Sequence, residues 1–206
     1  DQALLSAINF AIGMYFVHFS TKDEYGLYAL SYGVITLVIS FAGALIMTPM
    51  TVNYADRPIE QRESYCTSML VGQYAIFLPA IALVLLAVGC LYQAGVLDLD
   101  TTRLATVLGI AAVGGMLWEF SRRYYYLRLQ PGTVLRWDIC YASMMAIGLV
   151  TAMYSNLRSM HWWIFVIYGL ATAGTGLWAL SESELARPSD SRQVWDSVRE
   201  SWGHGR

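Results

Sequence analysis

The sequence predicts an all-α protein that crosses a membrane six times, on three observations. First, 56% of its 206 residues are hydrophobic and only 14% charged, with a mean hydropathy of +0.45. Soluble domains average about 25% charged residues and need them for a polar shell. Second, apolar stretches of about 20 residues, the length that spans hydrocarbon as a helix, recur six times between short polar connections. Third, the thirteen Lys and Arg fall unevenly on alternate connections. No run alternates with period two over several strands, which argues against a barrel. The net charge of −2 argues against a nucleic-acid partner.

The first span is expected at about residues 3–19. It carries Gln2, Ser6, Asn9 and Gly13 at spacings of 4, 3 and 4, a polar-to-small stripe on an oily helix. The second, about 27–50, repeats the pattern with Tyr32, Thr36, Ser40 and Gly43. Such stripes either let helices pack closely or line a wet cavity. Asn9, and Gln73 in the third span (about 65–94), favour the cavity, because an amide is a poor neighbour for lipid. Pro79 in that span is a candidate hinge or a plain kink. The fourth, fifth and sixth spans are expected at about 103–126, 135–155 and 160–182. The connections are STKDEYG, TVNYADRPIEQRES, VLDLDTT, QPGTVLR and SNLRSMH, punctuated by Gly26, Pro58 and Pro131-Gly132. Residues 1–182 thus form one transmembrane unit. Residues 183–206 turn polar, and Ser189 or Asp190 can cap a final amphipathic helix with Trp195, Val198 and Trp202 on one face, suited to a membrane surface.

With the N-terminus inside, Arg57, Arg62, Arg122, Arg123, Arg128, Arg136, Arg187, Arg192, Arg199 and Arg206 are inside, and Lys22, Arg103 and Arg158 outside. The positive-inside rule then places the N-terminus and the C-terminal tail in the cytoplasm.

The densest cluster is WEFSRRYYYLRLQPGTVLRWD, Trp118 to Asp138, at the inner end of the fourth span. Its tyrosines suit the interface and its arginines can snorkel to head groups. Glu119 precedes Arg122 and Arg123 by three and four residues, and Asp138 opens the next span. This predicts an ion-pair network of Glu119, Arg123 and Asp138 that clamps two helices. Arg122, on a neighbouring face, is then the candidate for holding an anionic group in a cavity. No cofactor is expected. Cys66, Cys90 and Cys140 show no zinc or disulfide spacing and read as small buried hydrophobes, and the histidines (His18 and His161 at the outer ends of spans) show no metal-binding spacing. GTGLWA at Gly174–Ala179 sits inside an apolar span and reads as close helix packing rather than a dinucleotide loop.

Several pieces of the sequence, taken together, resemble the first half of bacterial polysaccharide and lipid-linked oligosaccharide flippases, in the multidrug/oligosaccharidyl-lipid/polysaccharide exporter superfamily. They are Asp1-Gln2, Asn9-Phe10, Glu24-Tyr25-Gly26, ALIMTPM with Pro49, and EFSRRYYYLRLQ…D from Glu119 to Asp138. Thr48 stands where such proteins often carry an acid. The resemblance implies a six-helix lobe of a MATE-like flippase fold in the bacterial cytoplasmic (inner) membrane. It implies a second six-helix lobe, reached through the 183–206 linker, around a central cavity with alternating access. The cargo it implies is an undecaprenyl-pyrophosphate-linked sugar, carried without enzymatic chemistry among membrane lipids. A cation-coupled multidrug exporter would need an acid near mid-membrane. A glycan-modifying membrane enzyme would need a reactive His, Asp or Glu cluster in a loop. A non-catalytic scaffold is the remaining alternative.

The orientation is testable. A cysteine placed at Asp98 or Arg158 is expected to react with an impermeant thiol reagent added outside intact cells, and one at Arg57 or Arg192 is not. Outside labelling at Arg192 contradicts the six-span, N-inside topology.

Overall fold

A computed structural model describes residues 2–154, 162–183, 185 and 191–203. Ser189 and Asp190, His161, the start of the sixth span, and Arg158, Arg187 and Arg206 lie outside the described residues. The protein is an all-α polytopic membrane protein. Its helices are α1 (Gln2–Phe19), α2 (Lys22–Ala42), α3 (Thr48–Tyr54), α4 (Ile59–Gln93), α5 (Leu99–Leu127), α6 (Pro131–Tyr154), α7 (Trp163–Ser181) and α8 (Ser191–Gly203). Six helical segments are long and apolar enough to span, with α2 and α3 joined into one rod of 33 residues.

Local chemistry places the ends. Thr21 and Glu24 form a reciprocal capping box: Glu24 N–H donates to Thr21 Oγ1 (3.3 Å), and Thr21 N–H to Glu24 Oε2 (2.6 Å). The helix therefore starts at Lys22 and takes in Gly26, which the apolar pattern leaves in a connection. Asp98 caps α5 by accepting from Thr101 N–H at 3.3 Å, and this hydrogen bonding holds its carboxyl below the usual range. Pro58 precedes α4, and Pro131 opens α6 at the first helical position, where its missing N–H costs nothing. The α5–α6 turn is shorter than QPGTVLR suggests. Its left-handed residue is Leu129 (φ 57°), not Gly132. Gln130 N–H reaches Tyr125 O and Leu129 N–H reaches Tyr126 O, both at 3.0 Å, closing a Schellman cap in which glycine is the usual residue. A leucine in this conformation costs roughly 1–2 kcal/mol.

Between α2 and α3, residues Gly43–Met47 form a π-helical turn just before Pro49. Pro49 has no N–H to give to the Leu45 carbonyl one turn back. Trp202 Nε1 of α8 donates to that carbonyl at 2.7 Å. α8 packs on α3 and α4 rather than only resting on the membrane surface. Its buried stripe is Val194, Val198 and Ser201, whereas Trp195 and Trp202, expected on the apolar face with Val198, are half-exposed at its flanks. Val198 fits the gap left by Gly72: a Cβ there would lie 2.6 Å from Val198 Cγ2. Ser201 Oγ and Tyr65 OH share a 2.8 Å hydrogen bond, and Arg57 pairs with Glu200 at 2.6 Å.

α5 is the hub, packed against α2, α4, α6 and most extensively α7. Small residues bring the α5 and α7 backbones together. A Cβ on Gly114 would lie 3.0 Å from Gly169 O, and one on Gly176 would lie 3.1 Å from Trp118 N. Close packing is therefore the use of Gly176 in GTGLWA. α4 divides at Pro79. Its buried residues run from Tyr65 to Phe77. The helix passes through Pro79 unbroken, and beyond it α4 is mostly exposed, with Ile81 and Leu85 partly buried against Gly109 of α5. Cys90, expected to be buried, is exposed there.

Overpacking the α5–α7 seam tests this account. Gly114→Ala is expected to destabilise the protein by about 1–3 kcal/mol, because backbone atoms of α7 cannot yield as a side chain would. Gly13→Ala, with nothing within 4 Å of its Cβ, is expected to be neutral or stabilising. Thermal unfolding in detergent separates the two.

Candidate functional site

The α5–α6 hairpin creates the site. With only three residues between the helices, the last turns of α5 face the first turns of α6 at similar depth. Arg122 Nε lies 3.1 Å from Asp138 Oδ1, and Arg122 Nη1 lies 3.1 Å from Glu119 Oε2. Asp138 is fully buried (0% side-chain exposure), and Arg122 is 12% exposed. The guanidinium also sits 4.9 Å from the Trp118 ring, which stacks on Tyr141 of α6.

This changes one of the roles expected of the two arginines. Arg122, expected to face a cavity, does line a cleft but is also the clamp between α5 and α6. Arg123 meets Glu119 (3.4 Å), as expected, but Asp138 is held by Arg122 instead. The reason is the helical phase. Asp138 points into the α5–α6 seam, and of two successive residues 100° apart only one can face it. At 38% exposure, Arg123 is the more available cation.

Both arginines and Glu119 line a cleft of about 390 Å³ at the basic end of the bundle, completed by Gln2 of α1, Thr51 of α3 and Tyr126. Thr51 falls in a segment that composition reads as a connection. The helix continues through it because polar side chains bond the turn before: Thr51 Oγ1 donates to Met47 O (2.8 Å) and Asn53 Nδ2 to Pro49 O (2.9 Å). Its i−4 geometry was the missed signal.

The polar residues inside the spans separate into two groups. Gln2, Ser6 and Asn9 are exposed on α1, which buries only Ile12 and Phe16, so this stripe does not mediate packing within the bundle. Gln2 lines the basic cleft, and the stripe climbs α1 from it by about 10 Å to Asn9. Asn9 itself edges a crevice with Tyr28, Tyr32 and Tyr168. Thr36 and Ser40 are exposed on α2 and line neither opening; the Thr36 hydroxyl donates to Tyr32 O at 2.9 Å. Gln73, expected to favour a cavity, is fully buried instead between α4 and α5, where Nε2 donates to Met116 O at 3.4 Å. It is packing glue. Among the described residues no group of three His, Cys, Asp or Glu is assembled to hold a metal.

The arrangement therefore sets a part-exposed guanidinium, Arg123, beside a polar stripe on α1 that carries two amides. No family model, curated protein or solved structure matches the chain, so the functional reading rests on this geometry.

The two arginines are expected to differ sharply in stability. Arg122→Ala removes the guanidinium beside the buried Asp138 carboxylate and should cost about 3–5 kcal/mol. Arg123→Ala removes a partly exposed pair and should cost about 1 kcal/mol or less. Asp138→Asn in the Arg122→Ala background should recover part of the loss. Equal effects in chemical unfolding of the detergent-solubilised variants would contradict the clamp.

Proposed function

We propose that this chain forms one six-helix lobe of a transporter that flips a lipid-linked oligosaccharide or polysaccharide precursor across the bacterial cytoplasmic membrane by alternating access. The observation that carries the reading is the exposed stripe Gln2–Ser6–Asn9 rising from the basic cleft at Arg123. An amide facing hydrocarbon is left poorly satisfied at a cost of roughly a few kcal/mol, so Asn9 calls for water, sugar or a protein partner on that face. A diphosphate-linked sugar matches the pairing of features: phosphate oxygens for the guanidinium, hydroxyls for the amide and Thr51, and a lipid tail that stays in the bilayer.

In this reading the second wall of the path comes from a further six-helix lobe, with 183–206 leading to it, and the basic end faces the cytoplasm. The described acids of α5 and α6 lie near helix ends, Asp100 at one end and Glu119 and Asp138 at the basic one, which supports an anionic cargo over a cation coupled at mid-membrane.

The reading is checked in vesicles that hold a fluorescent polyprenyl-diphosphate sugar and the chain co-reconstituted with its second lobe. Translocation above protein-free vesicles is expected. Asn9→Leu should slow it about tenfold, equivalent to about 1.4 kcal/mol, without loss of thermal stability. Arg123→Gln should mainly raise the cargo concentration for half-maximal rate. Transport indifferent to both substitutions would sink the proposal.

A further inference from the structure

A second cleft, of about 320 Å³, opens beside the end of α5 and shares only Leu127 with the first. Two arginines line it. Arg62 is held in place by the chain itself: Nε donates to Arg57 O and Nη2 to Ala55 O, both at 3.1 Å, and the guanidinium sits 5.1 Å from the Tyr54 ring. Among the described residues it has no salt bridge. Backbone carbonyls orient this cation without neutralising it, and a guanidinium has five N–H donors, so some remain for a ligand. Arg128 donates to Tyr124 OH at 2.8 Å and lies 3.6 Å from Glu63 Oε1, and Tyr124 OH donates to Glu63 Oε2 at 2.7 Å. Of the residues that line the cleft, Arg62 and Arg128 are basic and Glu63 is acidic.

The rim is apolar. Ile59 is 79% exposed and Leu129 is 87% exposed. Leu129 holds a left-handed backbone that glycine would adopt without strain. A strained, outward-facing leucine beside oriented cations is an outlier from which function can be argued. The cleft joins the start of α4 to the end of α5, two spanning helices, so it lies at a membrane–water boundary. Aliphatic side chains dip into the acyl boundary there and cations meet head groups.

We infer that Arg62 and Arg128 form a binding site for the phosphodiester of an anionic membrane phospholipid, with Ile59 and Leu129 embedded among its acyl chains. The fixed Arg62 guanidinium offers a phosphodiester paired donors. The site depends only on the spanning helices and is independent of any cargo at the Arg123 cleft.

Native mass spectrometry of the full chain in detergent, offered equimolar phosphatidylglycerol and phosphatidylcholine, tests the site. Preferential retention of one phosphatidylglycerol, by about tenfold, is expected, and inorganic phosphate at the same concentration should not displace it. Arg62→Gln should bring the preference close to one. Leu129→Gly, which relieves the backbone, should keep or raise the thermal midpoint yet lower retention about threefold or more. It decides the matter if Arg62→Gln does not fold. Arg103→Gln, whose exposed arginine pairs with Asp100 at the other end of α5, should change nothing. Equal retention of the two lipids, displacement by inorganic phosphate, or retention unmoved by the Arg62 and Leu129 substitutions overturns the proposal.

Discussion

Polar groups that enter hydrocarbon must find partners within the chain, and most of this structure follows from that requirement. It leaves helix as the form of each span. It sends the hydroxyls of Thr36, Thr51, Thr106, Thr151, Thr172 and Thr175 back to carbonyls of their own helix. It explains why a proline in the α2–α3 rod is met by an indole: Pro49 withholds an N–H from Leu45 O, and Trp202 of α8 supplies one. At its most demanding it governs Asp138, a carboxylate of α6 with no exposed surface, which Arg122 of α5 reaches across the seam.

The same requirement organises the packing. Little hydrophobic force draws oily helices together in lipid, so association depends on close backbone approach and interhelical polar contacts. α5 concentrates both. Gly114 and the Gly176 contact at Trp118 bring it against α7, Gln73 and Tyr74 donate from α4 to its carbonyls at Met116 and Val113, and Arg122 ties it to α6. Beyond Pro79, α4 keeps one such approach, Ile81 and Leu85 against Gly109 of α5, and buries no side chain fully. The exposed faces of α1 and α2 lack them as well, and there the polar side chains Ser6, Asn9, Thr36 and Ser40 point outward.

The basic end carries two clefts with different surroundings. Around Arg122 and Arg123 stand Glu119 and, fully buried beside Arg122, Asp138, and Arg123 is the more exposed of the two arginines. Around Arg62 and Arg128 one acid faces two bases. The first cleft continues into a polar stripe along α1, and the second ends in bare aliphatic side chains. An anion that travels and an anion that stays would ask for these two surroundings respectively.

The sequence by itself determined the six apolar helices to within about six residues at the described ends, because apolar length is a property of the local chain and needs no partner to be read. Capped ends such as Thr21–Glu24 were equally local, although the apolar pattern hid them. The i,i+3 and i,i+4 pairs of Glu119 with Arg122 and Arg123 followed from helix geometry alone. The tertiary structure decided which arginine meets Asp138, since that depends on the relative rotation of α5 and α6 about their short turn. It decided that Gln73 is packed while Asn9 is exposed, two amides that composition cannot tell apart. It also decided that α8 docks at Gly72 and Leu45, because burial of Val198 instead of Trp195 depends on a notch in another helix. Local sequence sets what each helix is; the phase at which helices meet sets which side chains become partners and which remain open to a ligand.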